Sequence, residues 1–126
     1  YGMICDASYP TFFLSQYVRD ATTDRRVSLE RAVSMLAREP AEAVGLLDRG
    51  TLKVGAKADV NVFDLATMHL HAPAVVRDLP GGGRRLVQKA DGYHATIVSG
   101  KLVYRHGVPT GALPGRLVRG AQSTPS

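Results

Sequence analysis

The sequence predicts an α+β chain in which helices come first and strands follow. From residue 28 to residue 37 the apolar positions recur at helical spacing, and after Gly50 the period shortens to alternation, which on a pleated strand sends successive side chains to opposite faces. Two short links ending in glycine, Ser99-Gly100 and His106-Gly107, then punctuate apolar runs in the manner of tight β-turns.

Pro10 suits the first turn of a helix, where its missing N–H costs nothing, and Phe12, Phe13, Leu14 and Tyr17 supply apolar contacts as far as about Asp20. Ala21 to Arg26 is polar and charged and reads as an exposed connection. Ser28 is the predicted N-cap of the clearest helix, with Glu30 in its positive first turn and Leu29, Ala32, Val33, Leu36 and Ala37 on one stripe. Pro40 disfavours helical geometry at Glu39 and opens a second short helix to about Leu46. One apolar stripe shared by two packed helices needs further chain to cover it.

In the second half, Gly50 and Gly55 are the predicted turn residues. Ala58, Val60 and Val62 alternate with Asp59, Asn61 and Phe63, the pattern of a strand with two unlike faces. Asp59, just after the Gly55 turn, is placed to accept backbone N–H bonds, a structural role rather than a catalytic one. Ala95-Thr96-Ile97-Val98 and Lys101-Leu102-Val103-Tyr104 flank Ser99-Gly100 as a hairpin. From Val108 to Ser126 the prolines and glycines (Pro109, Gly111, Pro114, Gly115, Gly120) predict a tail that wraps over a surface or frays.

Length and composition narrow the function. A chain of 126 residues accommodates one compact unit and excludes a complete (β/α)₈ barrel, which takes about 250. Gly2-Met3-Ile4-Cys5 has no basic leader before a long apolar run, so neither a signal peptide nor a membrane span is expected. Cys5 is the sole cysteine, so the chain closes no internal disulfide, which fits a cytoplasmic protein. Charge is uneven: residues 1–76 hold 8 Lys/Arg against 9 Asp/Glu, and residues 77–126 hold 8 against 2. The later cations are scattered and accompany no nucleic-acid motif, so a solvated surface or salt links to a further acidic domain are favoured over nucleic-acid binding.

Three stretches invite chemistry. His69-Leu70-His71 would place two imidazoles on one side of a strand, where they could meet one metal ion. A catalytic zinc needs about three protein ligands, so solvent-facing or hydrogen-bonded histidines are the favoured reading. Pro80-Gly81-Gly82-Gly83-Arg84-Arg85 could wrap backbone amides round an anion with Arg84 or Arg85 on a substrate carboxylate, but it matches neither phosphate-loop nor dinucleotide spacing, and a flexible turn over a neighbouring domain is preferred. Asp6, before the first helix, is a lone carboxylate best read as a cap or loop hydrogen-bonder.

Taken together, Gly2 to Thr11, the junction from Glu39 to Asp64, Asp78-Leu79-Pro80-Gly81-Gly82-Gly83-Arg84-Arg85-Leu86-Val87-Gln88, and Gly111 to Gly120 resemble the C-terminal end of amidohydrolase-superfamily proteins. The nearest branch is the N-acyl-D-amino-acid deacylases, or D-aminoacylases. The resemblance implies an α+β fragment: terminal helices of a (β/α)₈ metal-dependent hydrolase barrel over residues 1–48, part of a small β-sandwich domain over 49–108, and a tail over 109–126. It implies a parent in which a zinc-activated water attacks the amide of an N-acyl amino acid. The family's metal-binding and general-base motifs precede the matched region, so the resemblance assigns this chain no catalytic residue and no zinc of its own. It makes Asp6, Ser8, Tyr9, Arg84 and Arg85 the substrate-proximal candidates, and the N-terminal barrel of the parent the chief partner. Homo-oligomerisation stays open; membrane and nucleic acid are not expected partners. The competing hypothesis is a free-standing, non-catalytic β-rich binding or assembly module.

Overall fold

The computed structural model describes residues 6–125. Cys5 and the motif residues before it lie outside them. The first helix, α1 (Tyr9–Phe13), carries Pro10 in its opening turn and continues without a break into wider π-helical turns over Leu14–Arg19. Thr22 to Arg26 is exposed, as its polarity predicts. Ser28 then caps α2 (Leu29–Leu36), its hydroxyl accepting from the Arg31 N–H at 3.2 Å, which satisfies one of the donors a helix start leaves free.

The next helix departs from expectation. Following a break at Ala37 (φ −125°, ψ −70°), α3 spans Arg38–Ala43, so it begins two residues before Pro40 and stops short of Leu46. Pro40 is thus the third residue of the helix, still within the turn whose N–H groups have no intrahelical acceptor. Glu39 is helical despite preceding a proline. Its carboxylate accepts from Ser34 Oγ at 2.9 Å and pairs with Arg31, tying the start of α3 to α2.

Gly50 and Gly55 turn the chain in left-handed conformations (φ 85° and 84°). The strands that follow form three antiparallel ladders. The largest contains β1 (Val60–Phe63), β6 (Tyr93–Val98), β7 (Lys101–Arg105) and β8 (Val108–Pro109) in the order β1-β6-β7-β8. Separately, β2 (His69–Leu70) pairs with β5 (Ala90–Asp91), and β3 (Ala74–Leu79) with β4 (Gly83–Val87). Ser99 and Gly100 (φ 49° and 75°) close β6–β7, and His106 and Gly107 (φ 48° and 76°) close β7–β8, each with the two successive positive φ values of a turn that matches strand twist.

Strand β1 does not keep its simple alternation. A register shift between Val62 and Phe63 leaves Val62 exposed and turns Phe63 onto the core beside Tyr93, as an irregular ladder step allows. Asp59 has the predicted structural role, with a distant partner: Oδ1 accepts from the Ser99 N–H at 2.8 Å, while Arg49 and Lys57 approach Oδ2 at 3.6 and 3.7 Å.

The buried core joins both halves of the chain. Leu14, Val18, Ala32 and Met68 are its centre, with Phe13, Val27, Leu36, Phe63, Leu65 and Tyr93 packed around them. Arg19 fastens the helical side to the segment after β1 by donating to the carbonyls of Leu65 (3.2 Å) and Met68, while its remaining N–H groups hold Asp20. The tail wraps back: the Gln122 N–H donates to the Gly45 carbonyl (2.8 Å), and the Leu47 N–H donates to that of Gln122 (3.0 Å).

Candidate functional site

The start of α1 and the connection from β4 to β5 enclose an open cleft of about 310 Å³, lined by Asp6, Ala7, Ser8, Thr11, Leu86, Gln88 and Ala90. Two side-chain hydrogen bonds fix the walls to each other. Ser8 Oγ donates to Gln88 Oε1 at 2.6 Å, and the hydroxyls of Thr11 and Tyr93 lie 2.8 Å apart, with Thr11 only 6% exposed. Gln88 is held at both ends of its amide, since Nε2 donates to the His71 carbonyl at 2.8 Å. A carboxylate, a hydroxyl and a primary amide beside the apolar walls of Ala7, Leu86 and Ala90 can orient a small polar ligand. Among the described residues lining the cleft, none is an activated nucleophile paired with a base.

Of the sequence candidates, Asp6 and Ser8 meet in this cleft. Asp6 is exposed at its rim, and its backbone carbonyl accepts the Tyr9 N–H at 3.0 Å. Tyr9 is 63% exposed on α1 and does not line it. Arg84 and Arg85 lie on β4, outside the lining. Arg85 grips Asp78 through Nε (2.8 Å) and Nη2 (2.6 Å), which holds the Asp78 carboxyl below its usual range and raises the guanidinium's own pKa. The Gly81–Gly83 run closes the β3–β4 hairpin through a short 3₁₀ turn at Pro80–Gly82. The residues that sequence reasoning missed are Thr11, Gln88 and Tyr93. Gln88 stands in a quoted motif, but no local spacing announces a partner 80 positions away.

His69, on β2, and His71, just past its end, bring their rings together, with ring centres 4.9 Å apart and ring planes at 85°. His71 Nε2 is 2.7 Å from Asp91 Oδ2, the hydrogen-bonded state preferred from the sequence. Among the described residues no group of three or more His, Cys, Asp or Glu side chains is arranged to hold a metal ion. The catalytic zinc that the resemblance implies therefore finds no fitting ligand set among them, and no step through zinc follows for these residues.

Residues 2–104 match the amidohydrolase family. The chain is 35% identical over 101 residues to a dihydroorotase from Lactobacillus acidophilus, covering 77% of this chain and 23% of that protein. It is 37% identical over 109 residues to an N-acyl-D-glutamate deacylase from Alcaligenes xylosoxydans (86% and 20%) and 32% identical over 108 residues to an allantoinase from Deinococcus radiodurans (84% and 23%). No solved structure matches it.

A chain with these hydrolase relatives belongs to the amidohydrolase family. It spans about a fifth to a quarter of the length of these curated relatives. Their three activity names fix the family rather than a branch within it. Among the described residues no helix is long and apolar enough to cross a membrane.

Proposed function

We propose that residues 1–126 form the C-terminal segment of a metal-dependent amidohydrolase whose complete protein hydrolyses the amide bond of N-acyl-D-amino acids. The observation that carries this reading is the alignment to N-acyl-D-glutamate deacylase, which takes in 86% of this chain but 20% of that protein. The distribution of apolar surface supports it. Among the described residues five apolar side chains are buried against eighteen large ones exposed, with Tyr9, Phe12, Leu29 and Val33 on the helical side. Such surface is what helices present when they lean on further chain.

In this reading the ligands of a catalytic zinc and the general base lie outside residues 1–126. The zinc would supply an activated water and polarise the scissile carbonyl. This segment contributes the cleft in which Asp6 and Ser8, braced by Gln88, stand closest to substrate, and the exposed helical faces pack on the parent's barrel.

The test is the complete coding sequence against the 126-residue chain, both with zinc, on N-acetyl-D-glutamate, dihydroorotate and allantoin. Free D-glutamate released by the complete protein and none by the 126-residue chain is the expected result. Zinc-dependent turnover by the 126-residue chain would overturn the non-catalytic assignment. A complete protein that opens dihydroorotate or allantoin and leaves N-acyl-D-amino acids intact would overturn the branch.

A further inference from the structure

The β2–β5 ladder brings together groups that the cleft does not use. His69 lies directly opposite Asp91 in the antiparallel register, and His71 follows two residues on, so all three side chains emerge from one face of the pair. Leu70, between the histidines, points to the other face and is half-buried. The outcome is two exposed imidazoles in mutual contact with one carboxylate behind them.

Distances give this cluster a chemical meaning. With metal–nitrogen bonds of about 2.0–2.1 Å and angles between octahedral and tetrahedral, two imidazole ring centres on one ion lie about 4.5–5.2 Å apart. The His69 and His71 ring centres are 4.9 Å apart. Asp91 adds an orienting contact. Its 2.7 Å bond engages His71 Nε2, and if that nitrogen carries the proton, Nδ1 keeps its lone pair for an ion. A ligating histidine typically donates its other ring N–H to a carboxylate in just this way. The second imidazole pair, His94 and His106, has ring centres 5.4 Å apart, outside that range.

We propose that His69 and His71 form a two-imidazole chelate for a borderline first-row divalent cation such as Ni²⁺, Cu²⁺ or Zn²⁺, with Asp91 orienting His71 from behind. Imidazole nitrogens select such ions over Mg²⁺ and Ca²⁺, which take oxygen. Solvent completes the coordination, because the His71 side chain is 47% exposed. Two protein ligands make this a surface chelate, and it does not depend on the function proposed above.

Calorimetric titration of Ni²⁺ into the chelator-stripped 126-residue chain tests it, with far-UV circular dichroism confirming the fold of each variant. One ion per chain is expected, lost in His69→Ala and in His71→Ala and unchanged in His94→Ala. Asp91→Ala should bind about 10-fold or more weakly, the usual effect of removing such a supporting carboxylate. His69→Gln and His71→Gln keep polar bulk and decide the matter if an alanine variant misfolds. No Ni²⁺ binding by the unsubstituted 126-residue chain, one ion shared by two chains, or undiminished binding after removal of either His69 or His71 would overturn the proposal.

Discussion

Replacing Gly92 by alanine should destabilise the fold through its backbone rather than through any lost contact. Gly92 joins β5 to β6 at φ +91°, and a Cβ added there would stand 2.7 Å from Met68 Cα, 2.9 Å from Met68 N and 3.1 Å from the Asp64 carbonyl oxygen. No side-chain rotation relieves such contacts. The positive φ alone costs an L-residue about 1–2 kcal/mol. Pushing back the Met68 backbone disturbs a core side chain that is 1% exposed and a carbonyl that holds Arg19, and overpacking of this kind adds about 1–3 kcal/mol. The sum of about 2–5 kcal/mol is a large part of an ordinary domain's 5–15.

Gly100→Ala is the internal control. Gly100 also has positive φ (+75°), but an added Cβ there meets nothing within 4 Å, so only the backbone term of about 1–2 kcal/mol applies. Urea unfolding followed by circular dichroism should give the Gly92 variant the lower midpoint. With a slope of about 1–3 kcal/mol per molar urea, the further 1–3 kcal/mol displaces it by up to a few molar units. Equal midpoints for the two variants would refute the claim that close approach of Met68, rather than backbone conformation, reserves position 92 for glycine.

The bond between Thr11 and Tyr93 should be detectable as coupling: Thr11→Val and Tyr93→Phe should each cost about 1–3 kcal/mol, and a double-mutant cycle should return about 0.5–1.5 kcal/mol of interaction. Coupling indistinguishable from zero would show that the Thr11–Tyr93 hydrogen bond contributes nothing to stability and leaves the Ser8–Gln88 bond as the polar link between the walls. In acid, Asp64 should contribute to unfolding. The Ala66 N–H (2.9 Å) and the Thr67 hydroxyl (3.0 Å) hold its pKa below the usual value, so the unfolded chain binds the proton more readily. The stabilisation is then complete above the unfolded value of about 3.9 and is lost as pH falls through the lower folded value. Asp64→Asn should flatten the acid limb of a stability–pH profile, and an unchanged limb would contradict this.

Sequence alone determined whatever depends on a few consecutive residues. Ser28 announces a helix start because a hydroxyl there can reach the N–H of Arg31. Ser99-Gly100 announces a hairpin and His106-Gly107 the end of a strand because such turns require left-handed backbone, which glycine adopts without strain; that Val108–Pro109 then pairs back on β7 instead of starting the tail was not announced. The motif-bearing stretches likewise pointed to the amidohydrolase family, which residues 2–104 match.

Tertiary structure decided which of these pieces meet. Pro40 falls inside α3 because that helix starts at Arg38, its first turn held by the Glu39 contacts to Ser34 and Arg31 of the preceding helix. Asp59 finds Ser99 across 40 positions and Ser8 finds Gln88 across 80, so the cleft could not be read from spacing. Met68 lies in a polar-flanked stretch with no periodicity of its own, yet becomes the most buried large side chain because Leu14, Val18 and Ala32 close over it. Turns and caps are settled by local dihedral and hydrogen-bond chemistry; burial and long-range pairing depend on which surfaces the whole chain can remove from water together.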